Sequence, residues 1–499
     1  MPAIVLSTLN ARYIHSAFGL RYLKANLEEL APACELREFT IHERPIDIAE
    51  KLLQYRPAII GLGVYIWNVE EITRLVALLK QISPQTLIVL GGPEVSYEAE
   101  QQELCRLSDY VIAGPGDVAF RELCRQLLGG ATPPQKFIPQ QVPALSEVRF
   151  PYHLYTDEDI AQRIIYVEAS RGCPFKCEFC LSALDKSAWP FDLEQFLAQM
   201  ERLYNRGARH FKFVDRTFNL KIDHSIRILE FFLERMDAEL FLHFELIPDH
   251  LPDRLKAIIA RFPENSLQFE VGVQTFNPDT QALISRRQND EKTEANLTWL
   301  RKHSQAHIHS DLIVGLPGED MESFARGFNR LVRLEPHEIQ VGILKRLRGS
   351  PIARHGEAYQ LRFYPYPPYN ILSNSTIDFN DMQRLTRFAR YWDMVINSGR
   401  FNHSRSLILG DHPFERFLQL SDWLYEATGQ THRIALQRLF ELLYTALTQC
   451  LACDAQAAMR SLTQDYTCSG LKGSPRFLQG HGRDDGLVKA SARRRQLRH

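Results

Sequence analysis

The stretch YVEASRGCPFKCEFC, Tyr166 to Cys180, sets Cys173, Cys177 and Cys180 at C-x3-C-x2-C spacing, directly after the strand-like run IIYVEAS (164–170). A structural zinc takes four ligands, usually as two C-x2-C pairs or a mixture of cysteine and histidine. Three thiols leave such a site one ligand short. Either a fourth ligand comes from a distant part of the chain, or the open position has a use.

An iron-sulfur cube offers that use. It has four iron corners, each normally held by a thiolate. Three cysteines this close in sequence can hold three corners and leave the fourth iron open to a small molecule. The surroundings of the motif favour this reading. The runs HFKFVDR (210–216), LHFELI (242–247), LQFEVGVQ (267–274), HSDLIVGL (309–316) and EIQVGILK (338–345) alternate with helical stretches. With IIYVEAS they predict six βα units curved into a partial barrel over 161–350, with its chemistry at the carboxyl ends of the strands. The cysteine loop opens from the first of these ends, where a ligand can reach an open iron. A structural zinc with a distant histidine is the plainer alternative and has no need of that location.

Upstream, the strand-like runs AIVLST, CELREFT, AIIGLGVY, TLIVLGG and YVIAG alternate with helical segments. One of these, EEITRLVALLKQI, carries Ile72, Leu75, Val76, Leu79 and Ile82 on one helical face. Such alternation predicts a parallel sheet with helices on both faces, a doubly wound, flavodoxin-like domain over 1–130. Residues 131–160 are rich in proline without a clear period and are expected to form a surface linker. Residues 351–470 turn helical, with Leu436, Leu439, Phe440, Leu443, Leu447 and Cys450 on one stripe. Residues 471–499, ending KASARRRQLRH, are expected to be a disordered basic tail. The fold class is therefore α/β: a doubly wound domain, a partial (βα)6 barrel and a helical extension.

The 499 residues, 45% of them hydrophobic, suffice for about three domains. Lys+Arg (59) nearly cancel Asp+Glu (60), so no global field recruits nucleic acid or an anionic membrane. The longest apolar run, AIIGLGVYIW (58–67), falls short of the ~20 residues of a membrane span. The N-terminus shows no export signal. Nine cysteines, an odd number, make no disulfide framework and fit reduced thiols in the cytoplasm.

The cysteine loop resembles that of the radical S-adenosylmethionine enzymes, including aromatic Phe179 before the last cysteine. The resemblance implies a [4Fe-4S] cluster on Cys173, Cys177 and Cys180, with S-adenosylmethionine chelating the open iron. One-electron reduction then releases a 5′-deoxyadenosyl radical, or the same molecule serves as methyl donor. FKFVDRTFN is similar to the segment after the second barrel strand and makes Asp215 and Asn219 candidates. FEVGVQTFNPDTQALISRRQ resembles oxygen-independent coproporphyrinogen oxidases and makes Gln274 a candidate for the cofactor's ribose or methionine end. SDLIVGLPGE resembles the family's Gly-Leu-Pro-Gly turn. Glu245 and Asp311 join the candidates as strand residues that point either into the barrel or outward.

GLGVYIWN, GGPEVSYE and VIAGPGDVAF resemble the strand-end loops of cobalamin-binding domains fused to radical enzymes. This implies cobalamin contacts at Gly63, Gly91, Gly92, Pro93, Glu94, Gly114 and Gly116. Glycine-edged turns in any doubly wound sheet are the alternative. The D-x-H-x-x-G motif that gives cobalt a histidine is absent, and His15 stays outside the set of cobalt ligands. Cys450, Cys453 and Cys468 are read as core residues rather than a second cluster.

The chain as a whole resembles a bacterial subgroup of cobalamin-dependent radical enzymes with a helical C-terminal extension. The implied activity is a methyltransferase at an unactivated carbon, with methylcobalamin presenting the methyl group to a substrate radical. A radical cyclase or ring-rearranging enzyme with the same cofactors is the second reading. A non-catalytic cluster- or corrin-binding redox sensor is the third. Expected partners are a small-molecule or peptide substrate and an electron donor such as flavodoxin or ferredoxin, with neither membrane nor nucleic acid.

Overall fold

The computed structural model describes residues 2–184, 188–473 and 475–478. Met1, residues 185–187, Ser474 and 479–499 lie outside the described residues, and with them most of the basic tail. The chain divides into two compact units. The first comprises residues 1–245, 345–354 and 364–370; the second comprises 246–344, 355–363 and 371–499.

The first unit opens with strands β1 (Ile4–Asn10), β2 (Cys34–Thr40), β3 (Ile59–Gly63), β4 (Leu87–Gly91), β5 (Tyr110–Ile112) and β6 (Phe137–Ile138). They form one parallel sheet in the order β2-β1-β3-β4-β5-β6. Helices α1 (Phe18–Ala25), α2 (Pro45–Leu53), α3 (Val69–Ile82), α4 (Glu103–Leu107) and α5 (Asp117–Leu128) connect the strands. Alternate residues of a strand point to opposite faces, and the two cores show the result. Val5, Leu9, Ile60 and Leu90 pack with Ile48, Ile72, Leu75 and Leu79 of α2 and α3. Ile4, Leu6, Ile59 and Val89 pack with Leu20, Phe120 and Leu123 of α1 and α5. The doubly wound reading is correct. Ile82, expected on the buried stripe of α3, is 55% exposed because the helix ends there beyond the sheet.

Residues 131–160 are more than a surface linker. They supply β6 and helix α6 (Asp157–Gln162), whose N-terminus is closed by a Thr156–Asp159 capping box. Tyr152 and Tyr155 are each 1% exposed. Their hydroxyls donate to the carbonyls of Glu168 (3.2 Å) and Tyr166 (2.8 Å).

The first unit continues with β7 (Ile165–Val167), a short ribbon of β8 (Ser170–Gly172) and β9 (Ala188–Pro190), α7 (Leu193–Asn205), β10 (His210–Phe213), α8 (Ile222–Leu233) and β11 (Phe241–Leu246). Strand β10 runs parallel to β7 and β11, whereas β8 and β9 are antiparallel. Phe213, Phe218 and Phe244 fill the centre, with ring centroids 4.0–5.7 Å apart. Residues 345–354 and 364–370 also join this unit; the sequence reading places 345–350 at the end of the barrel and 351–354 and 364–370 in the helical extension. Tyr369 and Arg348 both reach Glu94, at 2.6 and 2.9 Å.

The second unit holds α9 (Asp253–Ile259), β12 (Leu267–Gln274), α10 (Pro278–Leu283), α11 (Asp290–His303), β13 (His307–Val314), α12 (Met321–Arg333) and β14 (Glu338–Ile343). The three strands are parallel, which brings the βα strands to the six expected. A hairpin, β15 (Arg362–Phe363) with β16 (Ile371–Ser373), leads into α13 (Phe379–Trp392), α14 (Arg405–Leu409), α15 (Pro413–Thr428), α16 (Leu436–Thr445) and α17 (Ala455–Ser469). Phe328 of α12 packs against Phe388 and Trp392 of α13, with centroids 5.1 and 4.7 Å away. Asn397 bonds both backbone groups of Ile339, at 3.0 and 2.9 Å, and thereby covers the open edge of β14. Among the described residues no helix is long and apolar enough to cross a membrane.

Candidate functional site

In the first unit a cavity of about 290 Å³ lies at the carboxyl ends of β3, β4 and β5. Gly63, Gly91, Gly92, Gly114 and Gly116 all line it. Gly92 (φ 109°) is required by the turn itself: a Cβ there would meet the Val64 carbonyl oxygen at 2.4 Å. Gly91 is different. A Cβ there meets nothing nearer than the Ile112 oxygen at 3.8 Å, so a side chain would grow into the cavity. Leu20, Tyr22, Leu62, Tyr65 and Phe120 make apolar walls. The volume suits a heterocyclic base with its sugar, the tail of a cobalamin, rather than a whole corrin. Glycine-edged backbone and apolar walls fit such a group.

Pro93 and Glu94 are placed elsewhere. Pro93 is exposed, and Glu94 is 4% exposed and taken up by Arg348 and Tyr369. His15 bonds the Tyr166 hydroxyl through Nδ1 at 2.8 Å.

One end of the cavity is charged. Arg171 donates to both oxygens of Asp117 (2.8 and 3.3 Å) and through Nε to Glu168 (2.7 Å), and lies 4.4 Å over the Tyr22 ring. All four residues line the cavity. Burial alone would lower the pKa of Arg171, but Glu168 and Asp117 raise it, so the guanidinium stays charged. Burial pushes Glu168 upward, against the pull of Arg171. Sequence reading missed this group, although Arg171 stands only two residues before Cys173.

The cysteine loop leaves β8 and returns through β9, whose three paired positions hold its ends together. The N–H of Cys180 donates to the carbonyl of Cys177 at 3.0 Å, a turn that gathers the motif. Cys173, Cys177 and Cys180 form no disulfide, and each is partly exposed. Burial raises the Cys173 thiol, and the other two thiols add to the shift. Among the described residues no three His, Cys, Asp or Glu side chains converge as the ligands of a single ion would. Three neighbouring, unlinked and partly open thiols are a donor set that fits three corners of an iron-sulfur cube. Phe179 is half-buried beside them. Glu178, invisible to the motif, is 2% exposed and paired with Arg354.

Asp215 is 3% exposed and serves the loop rather than solvent. It accepts from the Ala169 N–H (3.0 Å) and the Ser170 hydroxyl (2.5 Å), so it fixes the backbone entering β8. Burial pushes its pKa up to about 7 against the pull of those two bonds. Glu245 pairs with Arg216 at 2.9 Å. The Arg216 charge also acts on Cys173. Asn219 is fully buried.

Gln274 and Asp311 belong to the second unit. Gln274 ends β12 with φ 69°, and the register against β13 shifts there. A non-glycine residue held in that region is strained and marks functional turns. Arg286 donates to the Gly272 carbonyl and the Gln281 amide to the Thr275 carbonyl (2.9 Å), which together hold the turn. Asp311 lies opposite Gly272, with His309 at 3.4 Å. Glu319, which follows the Gly-Leu-Pro-Gly turn, was not foreseen. It is 2% exposed, accepts from the Thr275 hydroxyl at 2.5 Å, and is pushed by burial up to about 7.

Comparison with known families matches residues 4–124 to the B12 binding domain, 167–331 to the Radical SAM superfamily, and 357–495 to a protein family of unknown function (DUF4080). The uncharacterized methyltransferase PH0819 of Pyrococcus horikoshii is 27% identical over 210 residues, 36% of this chain and 45% of that protein. The cobalamin-dependent radical SAM methyltransferase TokK of Streptomyces tokunonensis is 24% identical over 383 residues, 68% of this chain and 55% of that one. The chain thus spans about half the length of these curated relatives. The solved structure of the radical S-adenosylmethionine methyltransferase TsrM from Kitasatospora setae, with cobalamin and a [4Fe-4S] cluster, superposes with a TM-score of 0.62 at 15% identity. It covers 94% of this chain and 100% of its own, which establishes a shared fold.

Proposed function

We propose that the chain is a radical S-adenosylmethionine enzyme with an N-terminal B12-binding domain, using a [4Fe-4S] cluster, S-adenosylmethionine and cobalamin, and that it is a methyltransferase acting at an unactivated carbon of a small molecule or peptide. One observation carries the reading: Arg171 is both a wall of the glycine-edged cavity and the residue two places before Cys173. The glycine-edged cavity and the cysteine loop of the first unit are therefore continuous. When bound, the cluster supplies the electron that cleaves S-adenosylmethionine, and cobalamin carries the methyl group.

The chain's own residues provide the setting. Cys173, Cys177 and Cys180 hold three irons. Asp215 fixes the approach to that loop through Ala169 and Ser170. The apolar walls around Tyr22, Tyr65 and Phe120 would exclude water from a cobalamin tail held in this cavity. Gln274 presents a preset amide at the carboxyl end of β12. Electrons would come from a flavodoxin or ferredoxin.

The test is anaerobic protein loaded with iron, sulfide and cobalamin, then reduced with S-adenosylmethionine. Wild type should form S-adenosylhomocysteine together with 5′-deoxyadenosine, and Cys177→Ala neither. Formation of 5′-deoxyadenosine alone would replace methyl transfer by the cyclase or rearrangement reading.

A further inference from the structure

The walls of the glycine-edged cavity in the first unit are chemically unequal. Gly63 of β3 pairs with Gly91 of β4, and Gly91 with Ile112 of β5, so cross-strand neighbours on one sheet face leave two successive strands without a side chain. On this face Leu20, Val89, Ile112 and Phe120, all buried, offer only hydrocarbon to the cavity. The strand-end carbonyls beside them are already engaged. Gly63 accepts from the Thr8 hydroxyl at 2.6 Å, and Gly91 from the Val64 N–H at 2.8 Å.

The polar side chains of the cavity fall into two groups. Arg171, Asp117 and Glu168 spend their charges on one another, with the Tyr22 ring beneath the guanidinium. Tyr65 stands apart from them. Its backbone N–H is bonded to Asn68 Oδ1 at 2.8 Å, and its ring stacks on Trp67 with centroids 4.4 Å apart. Its hydroxyl has no hydrogen-bond partner among the described residues and lies 3.5 Å from where a Cβ of Gly19 would stand, Gly19 being another lining residue. Burial raises its pKa, so the hydroxyl keeps its proton at neutral pH.

We infer that this cavity selects a corrinoid by the base of its nucleotide tail, favouring a benzimidazole over an adenine, with Tyr65 as the donor to that base. The inference rests on the reading that the tail lodges here. Corrinoids share one ring and differ in this base: a dimethylbenzimidazole in cobalamin, an adenine or a phenol in others. A base inside the cavity is away from the cobalt, so its imidazole nitrogen is a bare acceptor, and Tyr65 holds a donor without an acceptor. The carbon-only edge of a dimethylbenzimidazole gains by burial against Leu20, Val89, Ile112 and Phe120. An adenine carries ring nitrogens and an amino group on that edge, and burying them unpaired among hydrocarbon is costly.

The experiment is equilibrium dialysis of the full chain, loaded with iron and sulfide, against four corrinoids read by their absorbance: cobalamin, an adenine-tailed form, a phenol-tailed form, and cobinamide, which has no tail. Cobalamin should bind about ten-fold or more tightly than the adenine-tailed form. Tyr65→Phe should weaken cobalamin by about three-fold or more and leave the phenol-tailed form, which has no ring nitrogen, unchanged. Equal affinity for cobalamin and the adenine-tailed form would overturn the selectivity. A Tyr65→Phe chain that binds cobalamin as well as wild type, or that weakens both forms alike, would overturn the role of Tyr65. Cobinamide bound as tightly as cobalamin would instead remove the tail from this cavity, so the two failures are told apart. The readout is binding and stands separately from methyl transfer.

Discussion

Arg171 holds Asp117 with both terminal nitrogens, at 2.8 and 3.3 Å, across 54 residues of sequence. Its Nε holds Glu168 at the same time. Removing the guanidinium strands two buried carboxylates. Arg171→Met should destabilise the cofactor-free protein by about 3 kcal/mol, read by urea denaturation. Arg171→Lys, a single ammonium in place of a fork, should recover less than half of that. A loss under about 0.5 kcal/mol in Arg171→Met would mean the cluster behaves as a solvated surface pair.

Gly91 offers a way to fill the glycine-edged cavity without disturbing the turn, because the space beyond its Cα is open. Gly91→Leu should keep the iron content of the loaded protein and lower its cobalt content at least several-fold. Equal cobalt in variant and wild type would move the cobalamin tail out of this cavity.

The left-handed backbone of Gln274 separates stability from function. Gln274→Gly removes the conformational cost and should raise stability by roughly 1 kcal/mol. It should also weaken S-adenosylmethionine binding, because the amide is lost. Thermal melting and equilibrium dialysis read the two effects separately; a variant that melts lower than wild type would refute the strain.

Glu319 predicts a pH dependence. Its folded pKa, about 7, lies above the ordinary 4.5, so the folded state binds its proton more tightly than the unfolded chain. Its contribution is fully present below about pH 4.5 and is lost as pH rises through 7. Glu319→Gln keeps an acceptor for the Thr275 hydroxyl and cannot ionise. It should flatten that decline and make the protein more stable than wild type at pH 8, by up to about 3 kcal/mol. Denaturation curves at pH 5 and pH 8 decide the matter.

Much of this arrangement was legible because chemistry dictates both residue type and spacing. The cysteine loop and the glycines at the ends of β3, β4 and β5 stand where strand periodicity places them. Tyr152 and Tyr155 were illegible: a proline-rich segment has no period, yet two tyrosines can bury themselves by bonding single carbonyls of β7 and its end. Charge is harder still. Sequence reading passes over Asp117, Glu168 and Glu319, whose burial depends on partners that no local pattern announces. For Glu319, the signal available was its place directly after the Gly-Leu-Pro-Gly turn.

The ribbon of β8 and β9 has a consequence for assembly. Its three pairings tie the base of the cysteine-bearing segment through backbone bonds that involve no thiol. The entropy of closing that loop is therefore met by polypeptide folding, and inserting iron and sulfide need only adjust side chains. A zinc finger collapses when its ion is removed. This chain, whose sheets and aromatic core are built without the thiols, should instead keep its fold when the cluster is removed and accept it again.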